Sequence, residues 1–383
     1  MSHSRARAKI FTPAEQLIGR KRHLRSVEDI SPAVEMSAND KPYEPAMVKE
    51  VLCKHFNTRS TGSQLTIREK QFLGLGGPRI HYYYLTLTAD NVRHRAFGKI
   101  SPKNQQEYRA LEYLMRSGRE AKRVIARPIG LLQNGDYSML LLECLDGYSN
   151  PFSVLHVLRL SPNTAANITQ VGKDILDRLY QLQEQCQTIY TPLSLADIAG
   201  APGQPQPISL LAQLEAVKSI SSEAKAQLRS GINRMVNNQV RVRRSVVHGQ
   251  LGIRNIMMRR SNIAFIDWEY MQTQGLSIYD ACYMVIMLVM RSAQLLIPRG
   301  GLEKISTSLF HHIRCLEERL TTPGDAGFVQ DGLWFATSMA MIDTLWQYET
   351  NPGSLLKALI KQKPRKTRYL VRDLERHAKN GWS

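Results

Sequence analysis

Apolar positions in the first part of the chain fall into short runs typical of β-strands. Five such runs lie between the start of the chain and residue 145: residues 65–73, 80–88, 94–100, 124–132 and 137–145. The last two flank Asn134-Gly135, a strong signal for a tight hairpin between two strands. Residues 102–116, between the third and fourth runs, have helical spacing instead. The pattern predicts β-strands with one helix among them.

After Gly147 the spacing of apolar residues becomes helical. Segment 164–185 has apolar residues at every third or fourth position, which predicts a core helix. Segment 210–240 predicts one or two further helices, and the Pro- and Gly-rich segment 191–207 before it predicts a loop. We therefore expect a second, mainly helical lobe.

Segment 246–270 carries polar residues at both ends of a predicted hairpin. Its apolar runs, Ile256–Met258 and Ile263–Ile266, are separated by a short polar turn. Folding this hairpin brings Asn255, just before the first strand, and Asp267, just after the second, to the same end. An amide oxygen and a carboxylate there suit Mg²⁺, which fills its other positions with water and phosphate oxygens. We predict Asn255 and Asp267 as metal ligands, with a nucleotide phosphate as the third partner.

Glycines separate the first two β-like runs, and they are Gly74, Gly76 and Gly77. Glycines in such a turn let backbone amides approach phosphate oxygens closely. Glycines in a hairpin turn also serve the turn alone, and this alternative stays open. We include the three glycines among the predicted nucleotide-binding residues.

The hairpin segment resembles the catalytic and metal loops of the aminoglycoside phosphotransferase and choline kinase-like families. Those families have His-Gly-Asp, four residues and Asn, followed after a short hairpin by Ile-Asp-Trp-Glu. The corresponding residues here are His248-Gly249-Gln250, Asn255 and Ile266-Asp267-Trp268-Glu269. The resemblance implies an α+β, two-lobed protein kinase-like fold, with a small antiparallel sheet lobe and a larger helical lobe. ATP and Mg²⁺ would lie in the cleft between the lobes.

The same resemblance assigns a nucleotide-binding role to Lys99, which ends the third β-like run. Kinase-like folds pair a strand lysine with a helix glutamate, so that the ammonium is held on the α and β phosphates. Glu107, in the following helix, fits the family's Glu-to-Leu spacing, and Glu112 is the competing acid. Residues 142–147 resemble the hinge between lobes, which implies that the backbones of Glu143 and Leu145 face the adenine.

Gln250 departs from the family pattern at the catalytic position. The kinase catalytic loop has an Asp there that accepts or orients the proton of the attacking hydroxyl. A carboxamide can hold a hydroxyl but cannot take up a proton, and loss of general-base help slows transfer by roughly 10²- to 10⁴-fold. Phosphoryl transfer depends largely on positioning and charge neutralisation, so Gln250 does not exclude catalysis. The candidate catalytic residues are Gln250 and His248, and Asp280 is expected to support their loop.

Two hypotheses of function follow. The first is an ATP-dependent phosphotransferase that transfers the γ-phosphate to a hydroxyl of a small molecule: an amino alcohol, a sugar or a lipid-linked acceptor. The second is a catalytically impaired pseudokinase that binds nucleotide or acts as a scaffold. A late helix with Trp334, Trp346 and Tyr348 resembles the one that lines the amino-alcohol pocket of choline kinases, which implies an aromatic cage for a cationic substrate. Packing of the tryptophans in the core is the alternative.

The formal net charge of +18 points to an anionic partner such as a polyphosphate ligand, a membrane surface or nucleic acid. The basic residues are spread over several clusters, including residues 5–9, 20–25, 241–244 and 361–372. No motif of a nucleic-acid-binding module accompanies them, so we do not expect nucleic acid as a partner. Solvated surface is the default interpretation of the clusters, and contact with an anionic surface or membrane through the basic arm is the alternative.

Length and composition suggest two lobes preceded by a flexible arm. We predict a basic arm at 1–40, a nucleotide-binding lobe at 41–146 and a lobe with the metal and acceptor sites at 147–383. The five cysteines have no CxxC spacing, which argues against a disulfide framework and a zinc site. The longest apolar run, 281–290, is too short to span a bilayer, and no segment resembles a signal peptide, so we expect a cytoplasmic protein. The sequence leaves the oligomeric state open.

Overall fold

The structure is a computed structural model. It describes residues 43–70, 80–134, 137–150, 164–198, 209–294, 297–321, 328–350, 372, 373 and 376. These residues form two lobes, one built around an antiparallel sheet and one mainly helical, so the predicted α+β, two-lobed architecture is confirmed. The basic arm and the glycines Gly74, Gly76 and Gly77 lie outside the described residues, and the roles predicted for them stay predictions.

The first lobe consists of helices packed on a sheet of five strands. Its elements are α1 (Pro45–His55), β1 (Gln64–Lys70), β2 (His81–Ala89), β3 (Val92–Ile100), α2 (Asn104–Ser117), α3 (Arg119–Val124), β4 (Pro128–Asn134) and β5 (Tyr137–Glu143). The strand order is β1-β2-β3-β5-β4, and all neighbours are antiparallel. Lys99 therefore lies on the central strand, between Tyr82 and Leu140 of the adjacent strands.

One face of this sheet packs against α1. Val48 and Leu52 of the helix meet Leu85, Leu87 and Ile100 of the strands in one buried cluster. Each fully buried aliphatic side chain contributes about 1.5–3 kcal/mol. This packing fixes the back of the sheet and leaves the opposite face of β3 to α2 and the cleft.

The predicted strand at 124–132 is wrong in its first part. Val124 ends helix α3, and the strand begins only at Pro128. Val124 and Ile125 are buried in the large core shared with the helical lobe. A short buried apolar run does not distinguish a strand from a helix, which explains the error.

The second lobe is mainly helical and carries three short ladders. Its elements are α4 (Thr164–Gln185), β6 (Ile189–Pro192), α5 (Leu195–Ile198), α6 (Leu210–Ala216), α7 (Ser222–Asn237), β7 (Arg241–Val247), β8 (Ile256–Arg259), β9 (Asn262–Phe265), β10 (Gln272–Leu276), α8 (Ser277–Gln294), α9 (Arg299–Leu320) and α10 (Val329–Thr350). The strands pair as β10-β7-β6 and β8-β9. Helix α8 contacts α4, α9 and α10, and residues 277–286 are all buried, so α8 is the centre of this lobe.

Two arginines of the basic cluster at 241–244 are internal, and the expectation of a solvated surface is wrong for them. Arg243 is buried, and its Nη2 lies 2.7 Å from Glu317 Oε1 of α9. Arg244 Nη1 lies 2.7 Å from Asp197 Oδ1. The cluster forms the middle strand β7, and buried charges of this kind persist because they are paired.

The late aromatic helix, α10, packs in the core. Trp334 is buried, and its ring lies against Gly231 of α7, where a Cβ atom would meet Trp334 Cη2 at 2.5 Å. Trp346 packs against the same core. The cage interpretation is therefore wrong for Trp334, and the side chain of Tyr348 lies outside the described residues.

Among the helices of the described ranges, none combines the length and apolar content that crossing a bilayer requires.

Candidate active site

The hairpin β8-β9 brings its entry and exit side by side. Ile256 pairs with Phe265, and Ile266 N–H donates to Asn255 O at 2.9 Å. Asp267 follows at once, with a φ of +69° in the left-handed region that Asp tolerates better than most residues. Asn255 and Asp267 thus lie at the same end of the hairpin.

The side chain of Asn255 closes the loop that precedes the hairpin. Its Nδ2 donates to Gln250 O at 2.9 Å, and Gly252 N–H donates to the same carbonyl at 2.7 Å. The side-chain oxygen of Asn255 is then the atom that can accept a hydrogen bond or bind a cation. The main chain at Gln250 is held in place by the residue predicted as a metal ligand.

Lys99 is buried at the centre of a carboxylate cluster. Its Nζ lies 2.8 Å from Glu107 Oε2 and 3.3 Å from Glu269 Oε2, and it also donates to Asp267 Oδ1. Lys99 is 4% exposed and Glu107 1% exposed. The competing acid, Glu112, pairs instead with Arg116 at the surface. The structure therefore selects Glu107 as the partner of Lys99.

Opposing effects set the pKa values in this cluster. Burial acts to lower the pKa of Lys99, but the three carboxylates outweigh it and hold that pKa well above its ordinary value. Burial raises the pKa of Glu107, with Lys99 opposing. Burial also acts to raise the pKa of Asp267, but the Lys99 ammonium outweighs it and lowers that pKa. Lys99 and Asp267 are therefore a charged pair, and Lys99 keeps its proton.

The cluster has the composition of a divalent-cation site. Oxygen atoms of Glu107, Asp267 and Glu269 lie within 4.8 Å of one another. Three carboxylates against one ammonium leave two negative charges when all are ionised. Sequence reasoning did not assign Glu269 to the site, although it follows the hairpin two residues after Asp267. Hard cations prefer such oxygen ligands.

His248 has a buried ring whose two nitrogens are both engaged. Nε2 lies 2.8 Å from Ile266 O, and Nδ1 accepts from Gln250 N–H at 3.3 Å. The ring packs on Trp268 with a centroid distance of 4.6 Å. Burial lowers the pKa of His248 to about 4, so the ring is neutral at pH 7, with Nε2–H as donor and Nδ1 as acceptor. The ring links the loop around Gln250 to the segment after β9 that carries Asp267.

Asp280 holds the same loop from behind. It is fully buried in the first turn of α8 and accepts from the N–H groups of His248 and Gly249, the latter at 3.1 Å. Burial raises the pKa of Asp280 to about 7, against three backbone N–H donors that act to lower it. Asp280 therefore supports the loop, as expected, from the first turn of α8.

Gly249 occupies a position that excludes a side chain. Its φ is +86°, and a Cβ atom there would lie 2.5 Å from Tyr270 O. Left-handed backbone and close contact both favour glycine. Gln250 is the next residue, so the close approach of Gly249 to Tyr270 helps to fix the main-chain position from which the side chain of Gln250 extends.

The predicted hinge connects β5 to the helical lobe. Glu143 N–H donates to Arg127 O at 2.8 Å, and its side chain lies 3.2 Å from His55 Nε2. Leu145 O accepts from Tyr148 N–H at 3.1 Å. No main-chain carbonyl of the described ranges accepts from Leu145 N–H. The side chain of Glu143 points to the first lobe, so any contact with a nucleobase would use the main chain, as expected.

Aromatic side chains cover the cleft face of the sheet beside Lys99. Phe97 lies two residues before Lys99 and therefore on the same face of β3. Its ring lies 5.8 Å from the rings of both Tyr82 and Tyr84. Burial raises the pKa of Tyr82 to about 12. Sequence reasoning assigned no role to Phe97, and the tyrosines on the neighbouring strand are identified only by the strand register.

The sheet lobe, the buried Lys99–Glu107 pair and the loop-hairpin unit have the arrangement expected from the resemblance to the aminoglycoside phosphotransferase and choline kinase-like families. No family model and no curated protein matches the chain.

Similar solved structures include three kinases or phosphotransferases. An apo structure of a thermostable mutant of aminoglycoside phosphotransferase APH(4)-Ia is 13% identical, with a TM-score of 0.45, over 88% of this chain and 99% of that chain. A putative fructosamine-3-kinase from Haemophilus somnus 129PT is 14% identical, with a TM-score of 0.45, over 85% and 96%. Choline kinase LicA from Streptococcus pneumoniae is 12% identical, with a TM-score of 0.42, over 85% and 98%.

Proposed function

We propose that the protein is an ATP-dependent phosphotransferase that transfers the γ-phosphoryl group of ATP to a hydroxyl of a small molecule. The observation that carries the proposal is the buried ammonium of Lys99, held by Glu107 beside Asp267 and Glu269. A lysine in such a cluster keeps its positive charge and a fixed position. Because its side chain is already fixed, Lys99 can contact polyphosphate oxygens without losing further conformational freedom on binding.

The first lobe, residues 41–146, would hold the nucleotide. Lys99 would contact the α and β phosphates, as kinase-like folds do with the lysine of this strand. The main chain of Glu143 and Leu145 would meet the edge of the adenine, and the ring of Phe97 offers an apolar surface for its face. The second lobe, residues 147–383, would supply the metal and acceptor sites.

The residues at the end of the hairpin fit Mg²⁺. Three carboxylates within 4.8 Å of one another and an excess of negative charge over Lys99 are the donor set of a hard divalent cation. Asp267 and Asn255 would hold the ion, with Glu269 next to them. When bound, Mg²⁺ supplies charge neutralisation for the phosphate oxygens.

Gln250 would position the acceptor hydroxyl. Its main chain is fixed by Asn255 Nδ2, and the loop around it is fixed by His248 and Asp280. We assign His248 a positioning role, because both ring nitrogens are used inside the protein. The hydroxyl proton has no basic acceptor at Gln250 and would pass to solvent or to a phosphate oxygen.

Gln250 also favours a second candidate function, a pseudokinase that binds nucleotide without transferring phosphate. The same Lys99 cluster would hold the nucleotide in that case. A general base is absent at position 250 of the sequence, and loss of such help lowers rates by roughly 10²- to 10⁴-fold. Only turnover separates the two functions.

A thermal-shift titration with ATP and Mg²⁺, followed by an ATP-consumption assay, tests the proposal. The acceptor panel contains amino alcohols, sugars and lipid-linked hydroxyl compounds. We expect stabilisation by ATP with Mg²⁺ and acceptor-dependent release of ADP, both lost in Asp267→Asn. Stabilisation without ADP release for any acceptor would support the pseudokinase, and no stabilisation at all would contradict both functions.

A further inference from the structure

Arginines lie beside the catalytic loop, apart from the carboxylate cluster. Arg254 belongs to the 3-10 turn Ile253–Asn255, four residues after Gln250. Arg291 lies on α8, which packs against this turn. Asn150 Nδ2 donates to Arg254 O at 3.0 Å, so the main chain of the turn is fixed independently of the arginine side chain.

One face of helix α8 packs against the loop that contains Gly252. A Cβ atom at Gly252 would lie 3.7 Å from Tyr283 Cε1, which places the loop directly against this helix. Tyr283, Met287 and Arg291 follow at intervals of four residues and share one face. Residues 277–286 are all buried, whereas Met287 and Arg291 are only half-buried. Tyr283 therefore lies against the loop, and Met287 and Arg291 continue the same face along the helix.

The positive charge of Arg254 acts on Arg291. Burial lowers the pKa of Arg254, with Tyr283 opposing. Burial and then the positive charge of Arg254 lower the pKa of Arg291. Among the described residues, Arg254 forms no ion pair with an Asp or Glu, unlike the buried Arg243, which pairs with Glu317. The turn and α8 pack against each other, and two partly desolvated cations on such neighbouring elements favour the binding of an anion between them.

We propose that Arg254 and Arg291 bind an anionic group, a phosphate or a carboxylate, on the hydroxyl acceptor. This inference rests on the proposed phosphotransferase function and names its substrate class. Gln250 and Arg254 belong to one short loop, so the acceptor presents its hydroxyl to Gln250 and its anionic group to the arginines. Guanidinium groups suit this task, because they bind carboxylate and phosphate oxygens in a bidentate manner.

The reaction with such an acceptor balances without a further reactant. The acceptor oxygen forms a bond to the γ-phosphorus while the bond from that phosphorus to the β–γ bridging oxygen breaks. ADP leaves with the electron pair, and the hydroxyl proton passes to solvent. The product then carries two anionic groups, the original one and the new phosphate ester.

Isothermal titration calorimetry with minimal probes tests the site. Inorganic phosphate, acetate and tetramethylammonium are titrated into the protein alone and into the protein saturated with Mg²⁺ and a non-hydrolysable ATP analogue. Binding of the analogue is measured separately. Failure of the analogue to bind would count against the phosphotransferase, whereas the anion titration of the protein alone reports on the arginines.

The variants are Arg254→Gln, Arg291→Gln and Arg254→Lys, with Arg260→Gln as the control. Arg260 is an exposed arginine in the turn of the nearby β8-β9 hairpin, so its replacement removes the same charge without changing Arg254 or Arg291. We expect at least tenfold weaker anion binding in each Gln variant, an intermediate loss in Arg254→Lys and no change in Arg260→Gln. The unchanged affinity for the analogue shows that the variants are folded.

The probes separate the two sources of the anionic group. Arginine-dependent binding of phosphate alone indicates a phosphomonoester acceptor, and arginine-dependent binding of acetate indicates a carboxylate acceptor. Three results overturn the proposal. The first is that neither anion binds, and the second is that both anions bind to Arg254→Gln and Arg291→Gln as tightly as to the wild type. The third is that tetramethylammonium binds in place of the anions.

Discussion

The carboxylate cluster and Arg254 lie in neighbouring parts of the site and differ in their ion pairs. Lys99 has its counter-ions inside the fold, with Glu107, Asp267 and Glu269 around it. Arg254 has none among the described carboxylates. Lys99 is therefore held in position without a ligand, whereas the partly buried charge of Arg254 indicates where an anionic ligand binds. We interpret the first region as preorganised for Mg²⁺ and nucleotide, and the second as the place of the acceptor.

The largest expected effect comes from Gln250→Asp, which adds a proton acceptor between the two regions. If the protein transfers phosphate, a positioned carboxylate should raise kcat by roughly 10²- to 10⁴-fold. Steady-state kinetics with the best acceptor measure this change, with Gln250→Glu as the control for a misplaced acid. A lower kcat in Gln250→Asp would mean that Gln250 has a role other than holding the hydroxyl.

Lys99→Met removes the counter-ion from the carboxylate cluster. Breaking a buried ion pair at one partner typically costs about 3–5 kcal/mol, so the free energy of unfolding should fall by that order. Mg²⁺ should restore part of the loss, because a divalent cation can replace the ammonium among the carboxylates. Urea unfolding with and without Mg²⁺ measures both effects. Lys122→Met, at an exposed position of α3, should change neither quantity.

Asp280→Asn tests how the loop is held, through stability and its pH dependence. Asn offers one acceptor oxygen to two N–H groups, so we expect a loss of about 1–3 kcal/mol. Burial lowers the pKa of His248 from 6.5 to about 4, so its contribution to the free energy of unfolding increases as pH rises through this window. Burial raises the pKa of Asp280 from 3.8 to about 7, so its contribution to the free energy of unfolding decreases as pH rises through that window.

Because these contributions oppose each other, the variant should gain stability more steeply than the wild type as pH rises from about 4 to 6.5. Thermal unfolding as a function of pH measures the slopes. Equal slopes in the two proteins would show that Asp280 does not titrate in this range.

Gly249→Ala should have the smallest effect. Its left-handed backbone and the approach to Tyr270 O predict a loss of about 1–3 kcal/mol. Gly300→Ala is a matched control, because Gly300 lies in α9 with no atom near the added Cβ, and there the change should be neutral or stabilising. Chemical unfolding of both variants gives the comparison. Equal stabilities would show that the loop adjusts without cost.

The sequence predicted the parts of the site that depend on local patterns. The hairpin with Asn255 and Asp267 at its ends followed from two apolar runs and a turn. The resemblance to kinase-like families implied the pairing of Lys99, on a strand, with Glu107, in the next helix. Each pair needs only one or two neighbouring elements to be placed correctly. Predictions of such residue pairs stay correct even when the predicted ends of a strand or helix are wrong by a few residues.

The parts that were missed depend on long-range packing. Arg254 and Arg291 lie on a turn and a helix that are far apart in sequence and pack against each other. The burial of Arg243 required Glu317 of a distant helix. The tyrosines beside Phe97 depended on the register of β2 and β3. The arginine within the loop was the one available signal for the acceptor site, and its partner could not be chosen without the fold.

The affinity for a non-hydrolysable ATP analogue with Mg²⁺ tests the central claim most directly. Calorimetry on the wild type and on Asp267→Asn would measure it under identical conditions. We predict binding to the wild type that requires Mg²⁺ and at least 100-fold weaker binding to Asp267→Asn, since the variant loses a metal-binding carboxylate. Absence of binding to the wild type, or equal binding to both proteins, would contradict the assignment of the Lys99 cluster as a nucleotide and metal site.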